Sequence, residues 1–168
     1  MYAAKKILVP IDYSDTSRAA LSAALQMAEQ HDSEVHLLHV VDGMDNTLQR
    51  RLDKLAAGEG AEDMGLGPVI DAQEAALLEA AQLERQRAED GGQPFSDRPL
   101  KTWVTGGNWV EVCLQMIDDE QVDLVVTATH GPRGPLGRLL GTRSQRLLKQ
   151  APCSVFVVKP KGFPYLRD

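Results

Sequence analysis

The segment Val125-Val126-Thr127-Ala128-Thr129-His130-Gly131-Pro132-Arg133-Gly134-Pro135-Leu136-Gly137-Arg138-Leu139-Leu140-Gly141-Thr142 is an apolar run that breaks into a glycine-rich loop and passes at once into a helical pattern. Glycine permits positive φ and lets a ligand approach the backbone closely, while Pro132 and Pro135 keep the loop from being helical throughout. A strand, a glycine-rich loop and a helix start together present free backbone N–H groups to a phosphate. The competing reading is a long connecting loop carrying two arginines, and the glycines alone leave both open.

Upstream and downstream, strands alternate with helices. Ile7-Leu8-Val9-Pro10-Ile11 is a short continuous apolar run, suited to a strand buried on both faces, with Pro10 near its end for want of an N–H. Asp12 to Ser17 supplies cap-type residues, and Ala20, Leu21, Ala24, Met27 and Ala28 then fall at helical spacing to about Gln30. Glu34 to Val41 reads as a second strand whose His36 and His39 have no Cys or further His at metal-ligand spacing, which favours structural roles for both. Leu100 to Thr105, Val122 to Thr127 and Ser154 to Val158 read as the remaining strands. Asn108 with Glu111 makes a capping pair before the apolar stripe Trp109, Val112, Cys113, Met116 and Ile117, read as core. Thr142 with Gln145 opens a last helix to about Gln150. The middle is less regular: Leu48 to Ala57 has a helical pattern, Gly58 to Pro68 is glycine-rich, and Asp71 to Glu89 is a strong helix.

This order predicts an α/β fold, a doubly wound, Rossmann-like five-stranded parallel sheet of order 3-2-1-4-5 with helices on both faces, in one domain spanning 1–168 with a mobile helical insert around 43–95. In that order the switch point lies between strands 1 and 4. Their carboxyl ends bring Asp12 and the glycine-rich loop, more than a hundred residues apart, to one crevice.

Composition narrows the function. The 168 residues include 43% hydrophobic and 25% charged side chains, with a formal net charge of −6, which argues against a general nucleic-acid binder. The apolar runs are far below membrane-spanning length, and the apolar run near the N-terminus stops at Asp12, unlike a signal peptide. Cys113 and Cys153 are too few and too far apart for a disulfide framework, which suggests reduced thiols and a cytoplasmic location. No glycine of the loop is followed by Lys, so a Walker A motif is excluded; G-x-G-x-x-G is missing too. A phosphorylated receiver would want an Asp at the end of strand 3, where Thr105-Gly106 stands.

Pro10-x-Asp12-x-Ser14, the strand Leu38-His39-Val40-Val41, and Ala128-x-x-Gly131 followed after nine residues by Gly141-Thr142 resemble the universal stress protein family in its ATP-binding branch, whose signature is G-x2-G-x9-G-[S/T]. The resemblance covers both ends of the chain and all five strands, and the middle matches only in kind. Ala128 stands at the first glycine of the signature: the loop survives if that position needs no positive φ, and otherwise affinity falls. Asn108 stands where the family often has Pro.

The resemblance implies an adenine nucleotide, ATP or ADP/AMP, with magnesium as a possible companion. Asp12 would contact the ribose or the metal shell, and the backbone of Val40 or Val41 the adenine edge. Pro10 and Ser14 belong to the same motif as Asp12. Gly131 and Gly141 would fold the loop over the phosphates, and Thr142, Arg143 and Ser144 would offer donors at the helix start. The Thr142 hydroxyl is also wanted by its own capping box, so backbone donors there carry the contact instead. Arg133 and Arg138 would add charge, or remain solvated surface arginines. The family often pairs through its last strand, and Val155 to Val158 is an apolar edge strand that needs covering, so a homodimer is expected. The implied function is a cytoplasmic nucleotide-binding regulator of the stress response with no catalytic residue, acting through an unknown protein partner. A weak ATPase or phosphotransferase, and a nucleotide-free interaction module with a degenerate site, are the alternatives.

Overall fold

The computed structural model describes residues 4–41, 67–92, 100–129 and 142–159. Five strands, β1 (Lys6–Pro10), β2 (Glu34–Val41), β3 (Leu100–Gly106), β4 (Leu124–Ala128) and β5 (Ser154–Val158), form one parallel sheet of order β3-β2-β1-β4-β5. Four helices accompany them among the described residues: α1 (Asp15–His31), α2 (Gly67–Asp90), α3 (Trp109–Asp119) and α4 (Thr142–Gln150).

Both faces of the sheet are buried, which is why its central strands are continuously apolar. Ile7 and Val9 of β1, Leu37 of β2 and Val126 of β4 pack with Leu21, Ala24 and Ala28 of α1 and Leu77 and Ala81 of α2. The alternate residues Leu8, Leu38 and Val125 pack with Cys113 and Ile117 of α3 and Leu147 of α4. Successive residues of a strand point to opposite faces, so one uninterrupted run serves two cores. At the amino ends of the strands, Asp123 Oδ2 accepts from the Lys5 and Lys6 amides at 2.7 and 2.8 Å, fixing β1 against β4.

Helix starts obey their local chemistry. Ser14 caps α1, its hydroxyl oxygen accepting from Ser17 N at 3.2 Å, and Asn108 Oδ1 caps α3 by accepting from Val110 N and Glu111 N. Asp32 ends α1 in the left-handed region at φ 57°, a conformation Asp tolerates better than most residues.

Several boundaries differ from the sequence reading. Helix α2 begins at Gly67 rather than Asp71, because Pro68 falls in its first turn, where the missing N–H has no intrahelical partner to lose. Strand β4 begins at Leu124 rather than Val122, because Val122 N donates to Ile117 O and closes the end of α3. Ile11 lies just past β1, although its amide still donates to Leu38 O at 2.8 Å. The helical pattern at Leu48–Ala57 lies outside the described residues.

Candidate functional site

The strand order reverses at β1, which has β2 on one side and β4 on the other. A cleft opens at the carboxyl ends of these strands. Of the residues anticipated from sequence, Pro10, Asp12, Val40, Ala128, Arg143 and Ser144 line it. Ser14 and Val41 do not line it: Ser14 caps α1, and Val41 ends β2 opposite Gly106 of β3. Thr142 is the first residue of α4. Gly131, Arg133 and Gly141, with His130 and Arg138, lie outside the described residues.

The remaining lining comes from residues the sequence reading assigned elsewhere or passed over. Thr16 and Ser17 belong to the first turn of α1, Thr127 to β4, Ile11 to the turn just past β1, and Trp109 is the first residue of α3. Thus α1, α3 and α4 all direct their amino ends at the cleft. Each carries a partial positive charge from its aligned peptides, and three together make the cleft receptive to an anion.

Asp12 is held in a short network. Its Oδ1 accepts from Ser14 N at 3.0 Å and from the Ser14 hydroxyl. Ser14 Oγ also lies 2.9 Å from Thr16 Oγ1. An ionised carboxylate only accepts, so the single Ser14 hydrogen goes to Asp12 and Thr16 donates to Ser14. One side chain therefore caps α1 and orients the carboxylate at the mouth of the cleft.

The adjoining turn is strained and braced. Tyr13 sits at φ 59°, and its hydroxyl is 3.2 Å from the carbonyl of Gln73 on α2 and 3.1 Å from that residue's side-chain oxygen. Partial burial pushes the Tyr13 phenol above its ordinary pKa. His39 Nδ1 lies 2.8 Å from the Ile11 carbonyl, which can only accept, so Nδ1 carries the hydrogen. His39 is thus a positioning residue for the turn bearing Asp12. His36 is fully buried on β2 and meets Glu34. No group of three metal-binding side chains occurs among the described residues.

Ala128 is the last residue of β4, pairs with Val158, and is not among the described residues with positive φ. The backbone at this position does not require glycine. Next to it, Thr129 is 1% exposed, and its hydroxyl finds no hydrogen-bond partner among the described residues.

The chain matches the profile of the "Universal stress protein family" over residues 3–159. It is 27% identical over 158 residues to Universal stress protein MJ0577 of Methanocaldococcus jannaschii, spanning 94% of this chain and 96% of that protein. It is 29% identical over 160 residues to Universal stress protein MJ0531 of the same organism, spanning 92% and 82%. Among solved structures it resembles Universal stress protein UspA from Lactobacillus plantarum, with a TM-score of 0.63 and 25% identity over 94% of this chain and 99% of that one. A universal stress protein solved in complex with cAMP shares the fold at a TM-score of 0.58, with 18% identity over 94% and 98% of the two chains.

Proposed function

Because the chain belongs to the universal stress protein family, we propose that it is an adenine-nucleotide-binding regulator of the stress response, with ATP as the ligand the cleft fits best. The observation that carries this reading is the convergence of Asp12, Thr16, Arg143 and Ser144 on one cleft that Val40 and Trp109 also line. Polar groups at the starts of α1 and α4 suit a polyphosphate, and the apolar Val40 and Trp109 suit a base. Arg133, Gly131 and Gly141 would close the site from the loop between β4 and α4.

Magnesium fits this donor set. It favours one or two carboxylates together with phosphate oxygens and water, and Asp12 beside the Thr16 and Ser17 hydroxyls offers hard oxygen ligands of that kind. The metal would neutralise phosphate charge. Asp12 would hold it or the ribose, Arg143 would face the anion, and Ser144 would donate from the first turn of α4.

The protein acts as a homodimer through β5, the sheet edge on which Phe156 is 44% exposed, and reports its nucleotide state to a protein partner in the cytoplasm. No described helix is long and apolar enough to cross a membrane. Mass spectrometry of small molecules released from freshly purified protein, followed by thermal melting with ATP and magnesium, tests the reading. Ligand at a hundred times its dissociation constant stabilises by about 2.7 kcal/mol, a shift of about 5 to 11 °C for a chain of this size. A nucleotide-free preparation that shows no shift with ATP and magnesium overturns it.

A further inference from the structure

We propose that Trp109 is the wall that receives the base of the bound nucleotide, and that it makes the cleft select a purine over a pyrimidine; this rests on the nucleotide reading above. Among the described lining residues Trp109 carries the one aromatic ring. It neighbours the core cluster that contains Val40, itself a lining residue, so β2 and α3 supply an apolar flank. The charged and hydroxyl side chains come instead from the turn after β1 and from α1, α4 and β4. Val40 and Trp109 thus give the cleft an apolar patch beside its anion-receptive groups.

The ring is held in place. Asn108 Oδ1 accepts from Val110 N and Glu111 N at 3.0 and 3.3 Å, which fixes the first turn of α3 and with it the direction in which Trp109 leaves the helix. The indole is half-buried against the core, so an entering ring meets a surface already ordered. Nothing in the capping of α3 calls for an indole at its first residue, since Asn108 alone satisfies the two amides. Stacking of a base on an aromatic side chain is worth about 1–3 kcal/mol on truncation, about tenfold in affinity at the lower part of that range. A two-ring purine covers more of an indole than a one-ring pyrimidine, whereas a polyphosphate without a base gains nothing from it.

The sequence contains two tryptophans, and the other can be removed cleanly. Trp103 lies in β3, does not line the cleft, and buries an indole N–H with no hydrogen-bond partner among the described residues. Trp103→Phe discards that unpartnered donor and leaves Trp109 as the only tryptophan fluorophore. In this background, ATP, CTP and tripolyphosphate are titrated by calorimetry and by tryptophan emission, with and without Trp109→Leu or Trp109→Phe. ATP is expected to change Trp109 emission and to bind about tenfold more tightly than CTP. Trp109→Leu is expected to lower ATP affinity about tenfold and erase the preference, while tripolyphosphate affinity, which also reports correct folding, stays unchanged. Trp109→Phe keeps a ring and holds ATP affinity within about threefold. If ATP binds yet Trp109→Leu alters neither its affinity nor the ATP-to-CTP ratio, the assignment of Trp109 falls and the nucleotide reading stands. If ATP does not bind the unsubstituted protein, both fall.

Discussion

Tyr13 lays its ring against His39, with centroids 4.8 Å apart and planes at 49°, while its own backbone is held in the left-handed region at φ 59°. The pair braces the turn that carries Asp12: His39 donates to the Ile11 carbonyl, and the Tyr13 hydroxyl reaches Gln73 of α2. The turn thus meets both the sheet and helix α2 in the middle of the chain.

Strain and packing oppose each other at Tyr13, and two substitutions separate them. Tyr13→Ala loses the ring and keeps the strained backbone, whereas Tyr13→Gly loses the ring and relieves the strain. The left-handed region costs a non-glycine residue about 1–2 kcal/mol, so the glycine variant is expected to be the more stable of the two by about 1 kcal/mol in urea denaturation. Greater stability of the alanine variant would show that the turn does not hold this conformation.

Ala128 stands where the family signature has glycine, yet it is a paired strand residue without positive φ. Ala128→Gly is therefore expected to leave ATP affinity within about twofold and to lower stability by about 0.5–1 kcal/mol through added chain entropy. A tenfold gain in affinity measured by calorimetry would mean that the methyl group obstructs the ligand.

Much of the fold was legible because burial on both faces leaves an unambiguous mark. Ile7 to Val9 suits a strand buried on both faces, and the alternation of such runs with capped helices points to the order 3-2-1-4-5 that the sheet has. The limits were equally physical. Val122 looked like strand because an apolar residue closing a helix has the same composition as one opening a ladder. Helical spacing places Trp109 against the core, where it packs, but spacing reports the side of a helix a residue occupies and not that the first residue also reaches the cleft. Thr16 and Ser17 read as cap residues because capping and ligand binding want the same hydroxyls. The Tyr13 contact with Gln73 joins segments sixty residues apart with no motif in either, and the left-handed φ of Tyr13 falls on a residue type that gives no warning of it.

At the amino end of the sheet, Lys101 Nζ lies 2.7 Å from Glu34 Oε1, and this hydrogen bond, with a smaller contribution from His36, holds the Glu34 carboxyl below its usual range against the opposing effect of burial. Glu120 also faces the cluster, 3.8 Å from Lys101 and from His36 Nδ1. A carboxylate whose pKa is depressed on folding contributes stability that is present above its unfolded pKa and lost as pH falls through the folded one. Glu34→Gln is accordingly expected to narrow its stability difference from the unsubstituted protein as the pH drops below about 4. A difference independent of pH would rule out the ion pair as its source.

Burial pushes the Cys113 thiol up to about 12, and it also raises that of the half-buried Cys153. Thiolate is the reactive form, so Cys113 is expected to resist a disulfide reagent at pH 8 until the protein unfolds, with Cys153 reacting first. Equal rates for both thiols in the native protein would contradict the burial of Cys113 between α3 and the sheet.

Isothermal titration of ATP with magnesium into nucleotide-stripped protein tests the nucleotide-binding role most directly. Saturable binding at one site per chain is expected, weakened about tenfold or more by Asp12→Asn, which keeps the oxygen that Ser14 donates to but removes the charge offered to the metal or ribose. No binding at millimolar ATP, or binding indifferent to Asp12, would contradict it.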